Sequence, residues 1–286
     1  MSQALLRKWP LPRHSGNDGK DERGSVLVVG GEVAIPGAVI LAGIAALRAG
    51  AGKLQIATCR SIAPLVGITV PEALSLGLDE TGRGLIAPGA APALDQLLKE
   101  SDALLIGPGM KGEQDEQQFV LKVIERCDTT LILDAGAIDA LGTSPDALHK
   151  QGGKAVITPH FGEMSRMLGL TDEEIAQDPE QISLDTASSL NAVVALKGGR
   201  TFIASPDGSL FCYDSGDVGL ATSGSGDTLA GVIAGLIARG TDPLHAALWG
   251  VFLHGSAGNR LAKRMGRIGY LARELLDEIP PIMNRL

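Results

Sequence analysis

Six short apolar runs, residues 25–29, 53–57, 103–106, 130–133, 154–157 and 192–196, alternate along this chain with segments of helical spacing at 37–49, 91–99 and 114–127. Each run reads as a buried strand, and most stop at a glycine, a proline or a polar residue. Strand followed by helix, repeated, implies a mostly parallel sheet covered on both faces, with ligands at the carboxyl ends of its strands. After residue 196 the pattern changes. Residues 201–204 and 209–213 flank Ser205-Pro206-Asp207-Gly208, a hairpin signature that predicts an antiparallel edge. Helical spacing returns at 228–238 and 244–265. With no repeat, linker or low-complexity block, residues 1–286 read as one domain, and residues 1–24 as an N-terminal segment that is mobile or lies over a site.

Composition narrows the function. A net charge of −8 repels a polyanion, and 3% aromatic residues leave little to stack on bases, so nucleic acid is excluded as a partner. Glycine numbers 38 in the chain of 286, which suits closely packed elements and backbone-lined turns. Cys59, Cys127 and Cys212 are odd in number and form no CxxC pair, so they read as free thiols in a reducing compartment. The first twelve residues lack the apolar core of a signal peptide. The longest apolar stretch, 34–47, is short for a bilayer and is broken by Pro36, Gly37 and Gly43. The expectation is a cytoplasmic protein with no membrane partner.

The richest stretch is Ala221-Thr222-Ser223-Gly224-Ser225-Gly226-Asp227-Thr228. Glycines either side of a serine permit a turn whose successive N–H groups point one way, and a helix follows, so Gly224, Ser225, Gly226 and Asp227 read as an anion hole. Asp227 stands where loop becomes helix. Its carboxylate either caps the helix or accepts a proton from a hydroxyl about to meet a phosphoryl group held by those N–H groups.

Other strand ends carry candidate chemistry. Gly107-Pro108-Gly109 is either a plain βα turn or a rigid backbone brought close to a ligand. His160, after Thr158-Pro159, either caps the next helix or hydrogen-bonds a ligand. Lys197-Gly198-Gly199-Arg200-Thr201 is either a hairpin with solvated charges or a cradle for nucleotide phosphates, although it lacks the spacing of a Walker loop. Asp134 ends a strand and is a candidate to hold a magnesium-bound water, with Asp139 and Glu163 able to join it. His14, His149, His245 and His254 share no ligand spacing and read as structural, and Trp249 and Phe252 read as core.

Taken in order, these segments resemble a ribokinase-like fold, a three-layer α/β architecture, and within it the ADP-dependent NAD(P)H-hydrate dehydratase family. The resemblance runs from about Gly24 to the C-terminus, through "GGEVAIPGAVILAGIAALRAGAGKLQIAT" at 30–58, "LLIGPGM" at 104–110, "LILDAGAIDAL" at 131–141, "VITPHFGEMSRMLG" at 156–169, "ALKGGRT" at 195–201, "SGSGDTLAGVIAGLIARG" at 223–240 and "FLHGSAGNRLA" at 252–262. It implies a lyase that repairs the S epimer of hydrated NADH or NADPH: a nucleotide phosphate activates the 6-hydroxyl, and elimination restores the dihydronicotinamide. By the same resemblance Ala38, Gly109, His160 and Asp227 match positions contacting the hydrated dinucleotide. Lys197, Gly198, Gly199, Arg200, Thr201 and Gly226 match positions binding the adenine nucleotide. ADP as phosphoryl donor, magnesium, a homotetramer and a separate epimerase are also implied.

This chain departs from the family pattern at Gly136, where a carboxylate is usual, at Asp139, where a charge is gained, at Phe161, where proline is usual, and at His14-Ser15-Gly16. Two rival readings remain. A small-molecule kinase acting on a vitamin precursor needs the same base and anion hole. A nucleotide sensor needs the hole but not Asp227.

Overall fold

The computed structural model describes residues 1–13 and 19–285. The first half of the chain runs α1 (Gln3–Leu6), β1 (Ser25–Val29), α2 (Gly37–Arg48), β2 (Lys53–Cys59), α3 (Ala63–Thr69), β3 (Ala73–Leu78), α4 (Asp95–Glu100), β4 (Ala103–Ile106), α5 (Gln114–Arg126) and β5 (Thr130–Leu133). It continues through α6 (Asp139–Thr143), β6 (Ala155–Ile157), α7 (Phe161–Leu168), α8 (Asp172–Gln177), α9 (Pro179–Leu190) and β7 (Val193–Leu196). The hairpin β8 (Thr201–Ala204) and β9 (Leu210–Tyr213) follows, then α10 (Ser225–Ala238), α11 (Pro243–Met265) and α12 (Ala272–Met283).

The strands form one nine-stranded sheet in the order β3-β2-β1-β4-β5-β6-β7-β8-β9. Neighbours from β3 to β7 are parallel, and the β7–β8 and β8–β9 pairs are antiparallel, as the hairpin signature predicts. All six expected strands are present. β3 was not expected: Leu74, Leu76 and Leu78 do alternate with small residues, but the strand is an edge paired only with β2, its leucines range from exposed to buried, and Gly77 lowers its strand preference. Residues 91–99 split into a 3-10 turn and the short α4, because Pro92 interrupts the helical hydrogen bonds. α12 carries Pro280 and Pro281 inside its last turns, which hid it from the helical pattern.

Side-chain alternation divides the core. Val26, Val28, Leu105 and Ile132 face a layer made with α2, α10, α11 and α12, whereas Leu27, Val29, Leu104 and Ile106 face the opposite layer, which includes α5, α7 and α9. This is a three-layer sandwich. Small residues let α2 and α10 touch backbone to backbone: a Cβ on Gly231 would lie 2.2 Å from the Ala42 carbonyl oxygen, and one on Gly235 would lie 2.4 Å from that of Ala46. That contact anchors α10 from its middle, leaving its N-terminus at the sheet's carboxyl edge.

Of the N-terminal segment expected to be mobile, residues 1–13 are tied to the body. Leu6 is fully buried, and the Trp249 indole donates to the Trp9 carbonyl at 2.7 Å. His14-Ser15-Gly16 lies outside the described residues. Among the described residues no helix is long and apolar enough to cross a membrane. Strand order reverses at β1, between β2 and β4, so the crevice at the carboxyl ends of β1 and β4 is where this topology places a ligand.

Candidate active site

The N-terminus of α10 forms one wall of that crevice. Gly224 caps the helix at φ +85°, and a Cβ there would lie 2.5 Å from Leu41 Cδ1, so only glycine fits. The helix begins at Ser225, earlier than its apolar spacing suggested. Asp227 therefore lies in the first turn, and the cap carries no side-chain bond. The Ser225 N–H donates to the Thr222 carbonyl at 3.2 Å, and that of Thr228 to the Gly224 carbonyl at 3.1 Å. The N–H groups of Gly224, Gly226 and Asp227 have no backbone partner among the described residues. Of the four N–H groups read from the sequence as a hole, only that of Ser225 is spent on a backbone carbonyl, and the Asp227 N–H also serves its own carboxyl, at the positive end of a fourteen-residue helix.

Opposite them, the ends of β5, β6 and β7 assemble a charged cluster. Lys197 Nζ lies 2.8 Å from Asp134 Oδ1 and 3.8 Å from Glu163 Oε2. Thr158, fully buried, donates its hydroxyl to the same Asp134 oxygen at 2.6 Å. A Cβ on Gly226 would sit 3.2 Å from Lys197 Nζ, so the lysine reaches beneath the helix N-terminus. Burial raises the Asp227 carboxyl to about 7; Asp134 and Glu163 push the same way and Lys197 opposes them. Glu163 is raised by burial, against the pull of Lys197. Burial works against the Lys197 ammonium, but Asp134 and Glu163 overcome it and hold the group above the ordinary lysine value.

The segment 197–201 divides in two. Lys197 turns inward, whereas Gly198, Gly199 and Arg200 are exposed and the Arg200 guanidinium lies 5.3 Å from the centre of the Phe202 ring. Thr201 opens β8. Phe161 lies against this loop, for a Cβ on Gly198 would be 3.2 Å from its ring. His160 does cap a helix. Its Nδ1 accepts the Glu163 N–H at 3.2 Å while its own N–H donates to Glu163 Oε2 at 2.7 Å. With Nδ1 accepting, a proton of the ring sits on Nε2, which lies 3.4 Å from Glu163 Oε1.

The other wall is backbone. The Gly31 N–H donates to the Pro108 carbonyl at 2.8 Å, and the Glu32 N–H to that of Gly109 at 3.1 Å, so the loops after β1 and β4 are stitched together. Gly109 sits at φ +73°, where a Cβ would approach the Ile35 carbonyl oxygen to 2.8 Å and the Ala38 Cβ to 3.0 Å. Ala38, in the first turn of α2, and Gly109 therefore abut at the switch point, and any larger residue would fill the crevice.

Two carboxylate readings change. Asp139 is turned away from Asp134 and paired with Arg166, its Oδ1 3.2 Å from Nε. Gly136 is forced: a Cβ there would lie 2.3 Å from the Gly112 nitrogen and 2.7 Å from the Met110 carbonyl oxygen. Among the described residues no group of three or more His, Cys, Asp or Glu side chains is placed to hold a metal. Asp134 and Glu163, the magnesium candidates, are already engaged by Lys197, so this donor set does not form a resident metal cage. It fits an ion that arrives on phosphates and takes one or two carboxylates through its waters.

His254 was read as structural. It reaches the site: its Nε2 lies 3.0 Å from Ser225 Oγ, and both residues are buried. A separation of 29 positions between two helices leaves no spacing signal by which sequence could pair them.

The fold and this site define a ribokinase-like protein. A ribokinase-like superfamily protein from Enterococcus faecalis V583 superposes with a TM-score of 0.86 at 27% identity, over 100% of this chain and 95% of that one. The family model described as NAD(P)H-hydrate dehydratase matches residues 26–281, and the chain belongs to that family. It is 49% identical over 286 residues to the ADP-dependent (S)-NAD(P)H-hydrate dehydratase of Xanthomonas campestris pv. campestris, covering 100% of this chain and 96% of that protein. The Bacillus subtilis ADP/ATP-dependent NAD(P)H-hydrate dehydratase, co-crystallised with ATP and Mg2+, superposes with a TM-score of 0.82 at 30% identity, over 99% of this chain and 97% of that one.

Proposed function

We propose that this chain dehydrates the S epimer of hydrated NADH and NADPH, using ADP as phosphoryl donor and releasing AMP and phosphate. Family membership supports the reaction, and the observation that carries it to particular atoms is the Asp227 carboxyl, raised to about 7 at a helix N-terminus where the Gly224, Gly226 and Asp227 N–H groups have no backbone partner. A base with that proton affinity is half ionised at neutral pH, where a general base works best.

In this reading Asp227 takes the proton of the substrate's 6-hydroxyl, and the hydroxyl oxygen attacks the terminal phosphorus of ADP. The new O–P bond forms as the bond to AMP breaks, while the N–H groups of Gly226 and Asp227 hold the charge that builds on the transferring group. The ring nitrogen's electron pair then expels phosphate from C6. Loss of a proton from C5 completes the dihydronicotinamide. Overall, hydrated NADH and ADP become NADH, AMP and phosphate.

Ala38, Gly109 and His160 are proposed to line the dinucleotide. Gly198, Gly199, Arg200, Thr201 and Gly226 are proposed to face the adenine nucleotide. Lys197 would serve it through the phosphates, since its ammonium lies under the helix N-terminus and not out on the loop. Magnesium is proposed to arrive with the nucleotide and offset its phosphate charge, with Asp134 and Glu163 within reach of its waters. A homotetramer is proposed from the family resemblance, and the exposed Leu65, Ile68 and Leu74 around the edge strand β3 offer one apolar contact face. A cytoplasmic setting and an epimerase on another chain complete the proposal.

One assay tests it. The protein is incubated with hydrated NADH, Mg2+ and either ADP or ATP, and the reduced-nicotinamide absorbance is followed. Return of that absorbance with release of phosphate supports the dehydratase; a stable phosphorylated product with no return would favour a kinase and overturn it.

A further inference from the structure

Resting on that reading, we infer that His254 is a positioning residue, which sets the geometry of the anion hole through Ser225. Ser225 is the first residue of α10 and lies between Gly224 and Gly226, whose N–H groups no backbone carbonyl takes among the described residues. The residue, 5% exposed, is tied at both ends: its N–H donates to the Thr222 carbonyl at 3.2 Å, and its hydroxyl meets His254 Nε2 at 3.0 Å. The Gly226 N–H belongs to the peptide plane that starts at the Ser225 carbonyl. Gly226 has no Cβ to restrict its own rotation, so the orientation of that plane depends on how firmly Ser225 is held. Donors must lie within about 0.5 Å of their productive positions to act on a transferring phosphoryl group.

His254 is suited to that task. α11 holds it among buried residues, and burial lowers its imidazole to about 4, so the ring is neutral at neutral pH and adds no charge beside the phosphates. The charged and titratable groups near the hole, Lys197, Asp134, Glu163 and Asp227, already form a set of their own across the crevice. The bond to Ser225 holds a turn in place without entering that titration.

The test compares the wild type with Ser225→Ala, His254→Phe, the double variant and His254→Gln, each in the full chain. In the NADH-recovery assay Ser225→Ala and His254→Phe are expected to lower kcat by about 10- to 100-fold, with KM for hydrated NADH changed less than about twofold. The double variant should be no worse than the poorer single one. His254→Gln, whose amide reaches the place of Nε2, should recover most of the loss. Calorimetry adds a readout independent of turnover: in Ser225→Ala the preference for ADP over AMP should shrink, because the terminal phosphate loses its fixed donors. A purely structural histidine would lower the melting temperature and leave that preference intact. If His254→Phe does not fold, Ser225→Ala and His254→Gln decide. A Ser225→Ala protein with wild-type kcat and an unchanged ADP preference would overturn the inference, as would losses that multiply in the double variant. A wild type that recovers no NADH would sink the proposed reaction instead, leaving the ADP preference to judge His254.

Discussion

Lys197 and Asp134 form an ion pair at 2.8 Å beneath the N-terminus of α10, with the aspartate 2% exposed and the lysine side chain 18% exposed. The pair joins the end of β7 to the end of β5 across β6, and the fully buried Thr158, just past the end of β6, donates to the same carboxylate oxygen. It also faces Asp227, so three strand ends and one helix share one electrostatic field. The behaviour of the site follows from that sharing.

Replacing Asp227 by Asn keeps the side chain's shape and removes the base. Turnover should fall by about 10²- to 10⁴-fold while the ADP dissociation constant stays near the wild-type value. Steady-state recovery of NADH together with calorimetric titration of ADP measures both. Near-normal turnover would remove Asp227 from the mechanism.

The pH dependence follows from the same carboxyl, raised mainly by burial to about 7. The base is active when ionised, so kcat/KM should rise with pH through an acid limb near 7 and then level. Stability runs the other way. The folded state holds this proton more tightly than the unfolded chain does, so its contribution is complete below about pH 4 and is lost as pH rises towards 7. Asp227→Asn should therefore raise the melting temperature at pH 8 and gain little at pH 4, which scanning calorimetry at the two values will show.

Lys197→Ala leaves Asp134 and Glu163 buried without their counter-charge. Breaking such a pair costs about 3–5 kcal/mol, so the denaturant midpoint should drop sharply. Because Lys197 holds the Asp227 carboxyl down, its loss should also move the acid limb of the rate profile above its wild-type position. ADP binding should weaken more than binding of hydrated NADH. An acid limb that stays in place would separate Lys197 from Asp227.

Restoring the family's carboxylate by Gly136→Asp should fail. A Cβ there meets the backbone at Gly112 and Met110, so Gly136→Ala alone should cost about 1–3 kcal/mol and the aspartate more. Denaturant unfolding of both variants measures this. A stable Gly136→Asp protein would mean that the 110–112 loop can move aside.

Much of this was legible in the chain itself. The apolar runs of β1 and β4 are continuous because both faces of a central strand are covered, and the Pro-Asp-Gly turn marked the β8–β9 hairpin by local chemistry alone. β3 and α12 were missed where that logic weakens, the first at a sheet edge and the second across two prolines. The Gly-Ser-Gly-Asp turn pointed to a row of N–H donors, yet which of them stay without a backbone partner depended on what the preceding turn consumed.

Local sequence determined the strand and helix alternation, the glycines that each backbone needs and the acidic residue at the head of α10, because those features depend on residues a few positions apart. Tertiary structure alone decided that Lys197 turns inward to Asp134, that Asp139 is drawn off by Arg166, and that His254 reaches Ser225. Those contacts join residues 27 to 63 positions apart, and the proton affinities of Lys197, Asp139 and His254 shift only once the sheet and helices have excluded water around them.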